Sequence, residues 1–243
     1  MRRFLVDSLE GDEALVTGER LHHLAHVLRL GPGAEIEVFD GRGGCRRGTV
    51  VELLETHARI ALGAWRDAPA LAPVTLGQAL VKADKLEWVI QKATEVGASR
   101  IAPLQLARSV VRLERDRVPD RLRRWQRIAE EAARQCGRAD VPAVEAPSGL
   151  DAFLDAAAAR GESVAVLWEG EREGLRLGDW VEAVRGGPLA LVVGPEGGLT
   201  AEEVARARER GAAIVGLGAR ILRAETAAIA ALSVVFHRLG ELG

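Results

Sequence analysis

Tyrosine and asparagine are missing from this chain altogether. Without asparagine there is no acceptor for N-linked glycosylation. Aromatic residues are scarce, five Trp and four Phe, which argues against the stacking platforms on which single-strand nucleic-acid binders lay successive bases. Only two cysteines occur, Cys45 and Cys136. They lack the paired spacing of a metal site, argue against a disulfide scaffold and fit a reducing, cytoplasmic compartment. The longest apolar run, 227–236, is broken by Ser233 and is too short to cross a bilayer. Met1-Arg2-Arg3-Phe4 leads into no hydrophobic h-region, so no secretory leader is expected. A large charge of one sign is also absent. The net charge is -2, so any contact with nucleic acid must come from a local basic patch. Lysine is the last scarcity: of 33 basic residues only Lys82, Lys85 and Lys92 are lysines, all in one short span. A chain that otherwise uses arginine places a compact, flexible ammonium here, which suits a phosphate ligand.

What is present is enough apolar residue, 48% of 243, for one large domain or two ordinary ones. The last quarter organises the rest. Leu189–Val193 reads as a buried parallel strand and ends in Gly194-Pro195-Glu196-Gly197-Gly198-Leu199. Thr200 with Glu203 predicts a capping box and a helix that Gly211 stops. A second run, 213–217, ends in Gly218-Ala219-Arg220-Ile221-Leu222-Arg223-Ala224-Glu225-Thr226, and a last helix follows, capped by Glu225 or Thr226. Loops at the carboxyl ends of parallel strands form the ligand crevice of an α/β sheet. One of these is dense in glycine and the other carries arginines and a carboxylate, so together they are the candidate active site.

Residues 1–66 read as a small barrel-like β domain with one short helix. Strands are expected at 3–6, 14–17, 34–39, 46–54 and 57–62, with a hairpin turn at 40–44. Arg42, Arg46 and Arg47 near that turn, with Arg2 and Arg3, suggest phosphate contacts; a solvated turn is the alternative. Residues 67–73 form a Pro/Ala linker. From 74 to 243 strands alternate with helices, the pattern of a parallel sheet: strands at 74–81, 101–106 and 164–168, and helices at 86–96, 119–136 and from a Ser148-Gly149 cap to 159.

The glycine loop is neither G-x-G-x-x-G nor a P-loop, and Pro195 removes a backbone donor. It suits close approach of an adenosine-like neutral group, or it is a turn without a ligand. His22 and His26 share a helical face, yet no third ligand stands beside them, so no metal is expected.

Gly194–Leu199 together with Leu217–Ala227 resembles the bacterial family of 16S ribosomal RNA uracil-N3 methyltransferases, in the SPOUT superfamily of knotted enzymes. Further matches are Lys85, Gln91–Gly97, Arg108-Ser109, Glu131–Arg138, Arg3-Phe4 and the segment from His23 to Val27-Leu28-Arg29. The resemblance covers nearly the whole chain. It departs at Ala224, where a hydroxylated residue is common, and at Val96, where leucine is usual. It implies a PUA-like β domain followed by a trefoil-knotted α/β methyltransferase domain, and a homodimer. S-adenosylmethionine would bind at Leu167, at Gly194, Pro195, Glu196, Gly197 and Gly198, and at Leu217, Gly218, Ile221, Leu222 and Thr226. The substrate would be a uracil near the decoding site of 16S ribosomal RNA in the small subunit. Glu225 would take the N3 proton and Arg223 would face the developing negative charge. Arg2, Arg3, His23, Arg29, Lys82, Lys85, Lys92, Arg108, Arg112 and Arg138 would hold the RNA. Other readings are a superfamily enzyme for another ribosomal or transfer RNA position, a non-catalytic ribosome-assembly factor, and a small-molecule α/β enzyme.

Overall fold

A computed structural model describes residues 2–66, 72–171 and 174–243. The chain divides into two compact units, Met1–Ala70 with Glu130–Val141, and Leu71–Ala129 with Pro142–Gly243. Of the expected linker, residues 67–71 lie outside the described residues.

The first unit contains β1 (Arg2–Leu5), β2 (Glu13–Val16), α1 (Gly18–His22), a π-helical turn at His23–Val27, β3 (Glu35–Phe39), β4 (Cys45–Leu53) and β5 (Ala58–Trp65). Its sheet runs β1-β3-β4-β5-β2, with β1 parallel to β3 and the other pairs antiparallel. Irregularities in the β4–β5 register bend the strand, as β-bulges do. Phe4, Ile36, Val38, Val50 and Ile60 fill the core under Leu21 and Leu24. The unit is larger than the amino-terminal stretch alone, because Glu130–Val141 joins it. Val141 N donates to Gly41 O at 2.9 Å and Gly43 N to Ala139 O at 3.2 Å. Ala139 and Val141 also pack on Leu5, Phe39 and Cys45.

Arg46 is a correction to the basic hairpin tip. It is 9% exposed, and its guanidinium donates to the carbonyls of Leu9 (2.9 Å), Gly11 (2.7 Å), Leu62 (3.2 Å) and Gly63 (2.8 Å). A planar group with five donors is suited to tying several carbonyls together, and Arg46 ties the turn after β1 to β5.

The second unit contains β6 (Val74–Ala79), α2 (Ala83–Val96), β7 (Arg100–Leu104), α3 (Val118–Cys136, its last turns counted with the first unit), β8 (Ala143–Val144), α4 (Leu150–Ala159), β9 (Ser163–Leu167), α5 (Leu177–Ala183), β10 (Leu189–Val193), α6 (Ala201–Glu209), β11 (Ala213–Val215) and α7 (Ala224–Leu239). The sheet order is β11-β9-β10-β6-β7-β8 and every neighbouring pair is parallel. β6 and β10 are buried throughout, as the unbroken apolar run of β10 requires. α4 and α6 bury Phe153, Leu154, Val204 and Ala207 against Val166, Ala190 and Val192. From the edge strand β11 the chain returns to α7, which lies on α2, α5, β10 and β6.

Several local expectations shift. α4 starts from Gly149 with no side-chain cap, because Ser148 is held by its backbone to Pro103 and Gln105. α7 begins at Ala224 from an Arg223 cap position, so Glu225 and Thr226 sit in its first turn instead of capping it. β8 has two residues and α5 seven, too few for periodicity to reveal. The capping box at α6 is present, with Thr200 N donating to Glu203 Oε2 at 2.9 Å and Glu203 N to Thr200 Oγ1 at 3.2 Å.

Candidate functional site

A cleft of about 300 Å³ opens at the carboxyl ends of β9, β10 and β11, the position that parallel sheets give to ligands. Leu167 and Val193 form part of its apolar wall, with Leu217, Ile221 and Leu222. Gly194, Pro195, Glu196, Gly198, Gly218 and Arg223 complete the set of anticipated residues that it gathers. Gly197, Thr226 and the anticipated base Glu225 do not line it. The carbonyl of Gly197 is held by Arg108 Nη1 at 3.0 Å, and Thr226 is exposed on the first turn of α7. Trp168, Glu169, Glu171, Val193 and Gly216 also line the cleft without having been anticipated as binding residues. The signal for three of them was available, since Trp168, Glu169 and Glu171 directly follow a parallel strand.

Tight backbone turns build the walls. Gly198 N donates to Pro195 O at 2.9 Å, and Gly198 sits at φ +72, where a Cβ would stand 2.3 Å from Glu169 Oε1. At Gly216 a Cβ would stand 2.1 Å from the carbonyl of Glu171. The buried Glu203 accepts from Ala107 N at 2.8 Å. With the Arg108 contact, this fastens the loop after β7 to the glycine loop and to the start of α6.

Three charged side chains meet beside the cleft. Lys85, in the first turn of α2, donates to Glu196 Oε1 at 3.2 Å and to Glu225 Oε2 at 3.3 Å. Hydrogen bonds donated to Glu196 and then to Glu225 raise the Lys85 pKa above its ordinary 10.5. Burial pushes Glu225 up. Its own backbone N–H at the helix start, Lys85 and Arg223 outweigh burial and hold the carboxyl below 4.5. The Lys85 ammonium therefore sits between the carboxyl groups of Glu196 and Glu225.

The anticipated RNA ligands divide by what already holds them. In the first unit Arg2 is exposed and donates to the Leu28 carbonyl. Arg29 is exposed at φ +52. Arg3 donates to Gly137 O and Arg138 O and pairs with Glu37 at 3.0 Å. His23 has its pKa lowered by burial and then by Arg134. Arg138 is 8% exposed and grips Asp140 through Nε (3.1 Å) and Nη2 (2.6 Å). In the second unit Lys82 and Arg112 are exposed, Lys92 pairs with Glu95 at 2.8 Å, Lys85 is taken by the two glutamates, and Arg108 by Gly197. Among the described residues no three His, Cys, Asp or Glu side chains converge as metal ligands would, and no helix is long and apolar enough to cross a membrane.

The residues lining the cleft fit an S-adenosyl donor. Apolar side chains and close backbone suit a purine nucleoside, while Glu169, Glu171 and Glu196 favour a cationic ligand and Arg220 and Arg223 offer partners for a carboxylate.

Residues 68–236 match a family model described as an RNA methyltransferase domain, and residues 16–59 match one described as an RNA methyltransferase PUA domain. The chain is similar to ribosomal RNA small subunit methyltransferase E of Mycobacterium bovis, with 38% identity over 239 residues, 96% of this chain and 90% of that one. It is also similar to the crystal structure of a ribosomal RNA small subunit methyltransferase E from Neisseria gonorrhoeae bound to S-adenosyl methionine, with TM-score 0.85, 31% identity, and 98% and 97% of the two chains covered. A putative methyltransferase from Legionella pneumophila in complex with the same cofactor gives TM-score 0.81 at 26% identity, over 97% of this chain and 96% of that one.

Proposed function

The chain belongs to the ribosomal RNA small subunit methyltransferase E family, and from that premise we propose that it methylates N3 of a uracil near the decoding site of 16S ribosomal RNA. One observation carries the reading: the glycine loop and the Arg223 loop converge on a single cleft at the carboxyl ends of parallel strands. S-adenosylmethionine, the cofactor named for the solved relatives, supplies a methyl group on a sulfonium.

The chain's own residues do the rest. The walls at Gly198 and Gly216 bring backbone against the nucleoside and exclude water. Glu225, a carboxylate at neutral pH, accepts the N3 proton directly or through a water. Arg223, at the cleft edge, faces the negative charge that spreads onto the ring oxygens as the proton leaves. N3 lies on the pairing edge, so the target base is taken unpaired or flipped out. Much of the acceleration is positional. Residues 1–66 act as the RNA-binding PUA-like domain and 74–243 as the methyltransferase domain. Its carboxy-terminal segment threads a trefoil knot, which the return from edge strand β11 to α7 on β10 and β6 supports. The enzyme works as a cytoplasmic homodimer on the small subunit.

Glu225→Gln tests the chemical roles. It should retain donor binding by calorimetry and lose turnover by roughly 10²–10⁴-fold, the usual worth of a general base. Full turnover in that variant would remove Glu225 from the proton transfer.

A further inference from the structure

We propose that Lys85 is the positioning residue of the reaction, joining the glycine loop to the Arg223–Glu225 loop through Glu196 and Glu225, and is not a ligand for an RNA phosphate. The proposal rests on the methyl-transfer reading above.

Three observations carry it. First, the contacts reach both loops: Lys85 Nζ lies 3.2 Å from Glu196 Oε1 and 3.2 Å from Glu225 Oε1. Second, the cation stands where a helix does not favour one. Lys85 is in the first turn of α2, and the amino end of a helix carries partial positive charge. The two carboxylates offset that repulsion, and Glu225, in the first turn of α7, sits where a helix does favour an anion. Third, the residue type fits the task. An ammonium is compact and has three donors on a flexible stem that can point to carboxylates arriving from different loops, whereas a guanidinium is bulkier and holds its donors in one plane. In a chain that takes arginine for nearly every other cation, lysine at this point has a geometric reason. The mount is rigid as well: Leu86, Val89, Ile90 and Ala93 of α2 are fully or almost fully buried, and α2 packs on α7.

The consequence is a fixed aim for Glu225. The charged groups facing it are Lys85 from α2 and Arg223 at the start of α7, while Lys85 also faces Glu196 from the loop after β10. Lys85 keeps the Glu225 carboxylate charged and directed, and it ties that direction to the loop that receives the donor.

The test uses the full chain with Lys85→Met and Lys85→Arg. Carboxyl carbons are titrated by NMR in the ligand-free protein, with Glu225→Gln assigning the Glu225 signal, and kinetics are measured on small subunits. In Lys85→Met the Glu225 midpoint should move to higher pH and kcat should fall roughly 10- to 100-fold, the scale of a misplacement of about 1 Å, with KM for subunits unchanged. Lys85→Arg should bring the midpoint back and restore part of kcat. An unmoved midpoint would overturn the proposal. So would a loss confined to KM with a salt slope reduced by about one, the signature of a phosphate contact. If the wild-type protein transferred no methyl group, the reaction itself would be at fault, and the titration would still decide what Lys85 holds.

Discussion

Glu203 is the buried carboxylate on which the glycine loop depends. It is 3% exposed and accepts from Thr200 N at 2.9 Å and Ala107 N at 2.8 Å. Glu203→Ala removes both acceptors and leaves two partly buried N–H groups unmatched. Each such group costs about 1–3 kcal/mol. Relief from burying the carboxylate's charge offsets part of this, so the net loss is about 2–3 kcal/mol. For a chain of this size about 1 kcal/mol moves Tm by roughly 2–4 °C, which gives a fall of roughly 4–12 °C. Thr200→Ala removes the reciprocal bond to Glu203 N and the hydroxyl's contact with Glu202, leaving both Glu203 acceptors in place, and should cost about 1 kcal/mol. Differential scanning calorimetry with urea titration measures both, and donor affinity measured alongside should drop in Glu203→Ala, because Glu203 anchors Ala107 and so places Arg108, which holds the Gly197 carbonyl. A Glu203→Ala loss below about 0.5 kcal/mol, the range of an ordinary surface substitution, would refute the reasoning. A larger loss in Thr200→Ala than in Glu203→Ala would do the same.

Gly198→Ala puts a Cβ on a residue at φ +72 and against Glu169; the left-handed backbone alone costs about 1–2 kcal/mol, and isothermal calorimetry should show weakened donor binding. Arg46→Ala leaves the carbonyls of Leu9, Gly11, Leu62 and Gly63 without their shared donor. It should destabilise the first unit by at least about 1–3 kcal/mol, the cost of a buried acceptor left unmatched, and a shifted salt dependence of RNA binding with unchanged stability would count against it. The Lys85 cluster also sets a pH window. Glu225 is held below 4.5, so its contribution to stability is complete above the unfolded value and is lost as pH falls through the lowered folded one. Lys85 is held above 10.5, so its contribution is complete below that value and is lost as pH rises through the raised one. The acid limb of Tm against pH should accordingly be flatter in Lys85→Met than in the wild type, and identical limbs would contradict the cluster.

Much of this site was readable in the chain because its signals are local. The apolar run 189–193, the glycines after it, and Thr200 with Glu203 three residues on all report on themselves. What stayed hidden depends on partners far away in sequence. Lys85 looked like a phosphate ligand because its carboxylates lie 111 and 140 positions further on. Arg46 looked like part of a basic tip because backbone carbonyls, which no side-chain pattern reports, surround it. Glu130–Val141 joins the first unit through hydrogen bonds to Gly41 and Gly43, and a helical pattern continuous up to Cys136 gives no hint of that change of allegiance.

The central claim is the reaction and its target atom. Labelled S-adenosylmethionine, small subunits lacking their native modifications, and nucleoside analysis of the product test it most directly. The account predicts labelled 3-methyluridine in 16S ribosomal RNA. Label in any other nucleoside, or none at all, would contradict it.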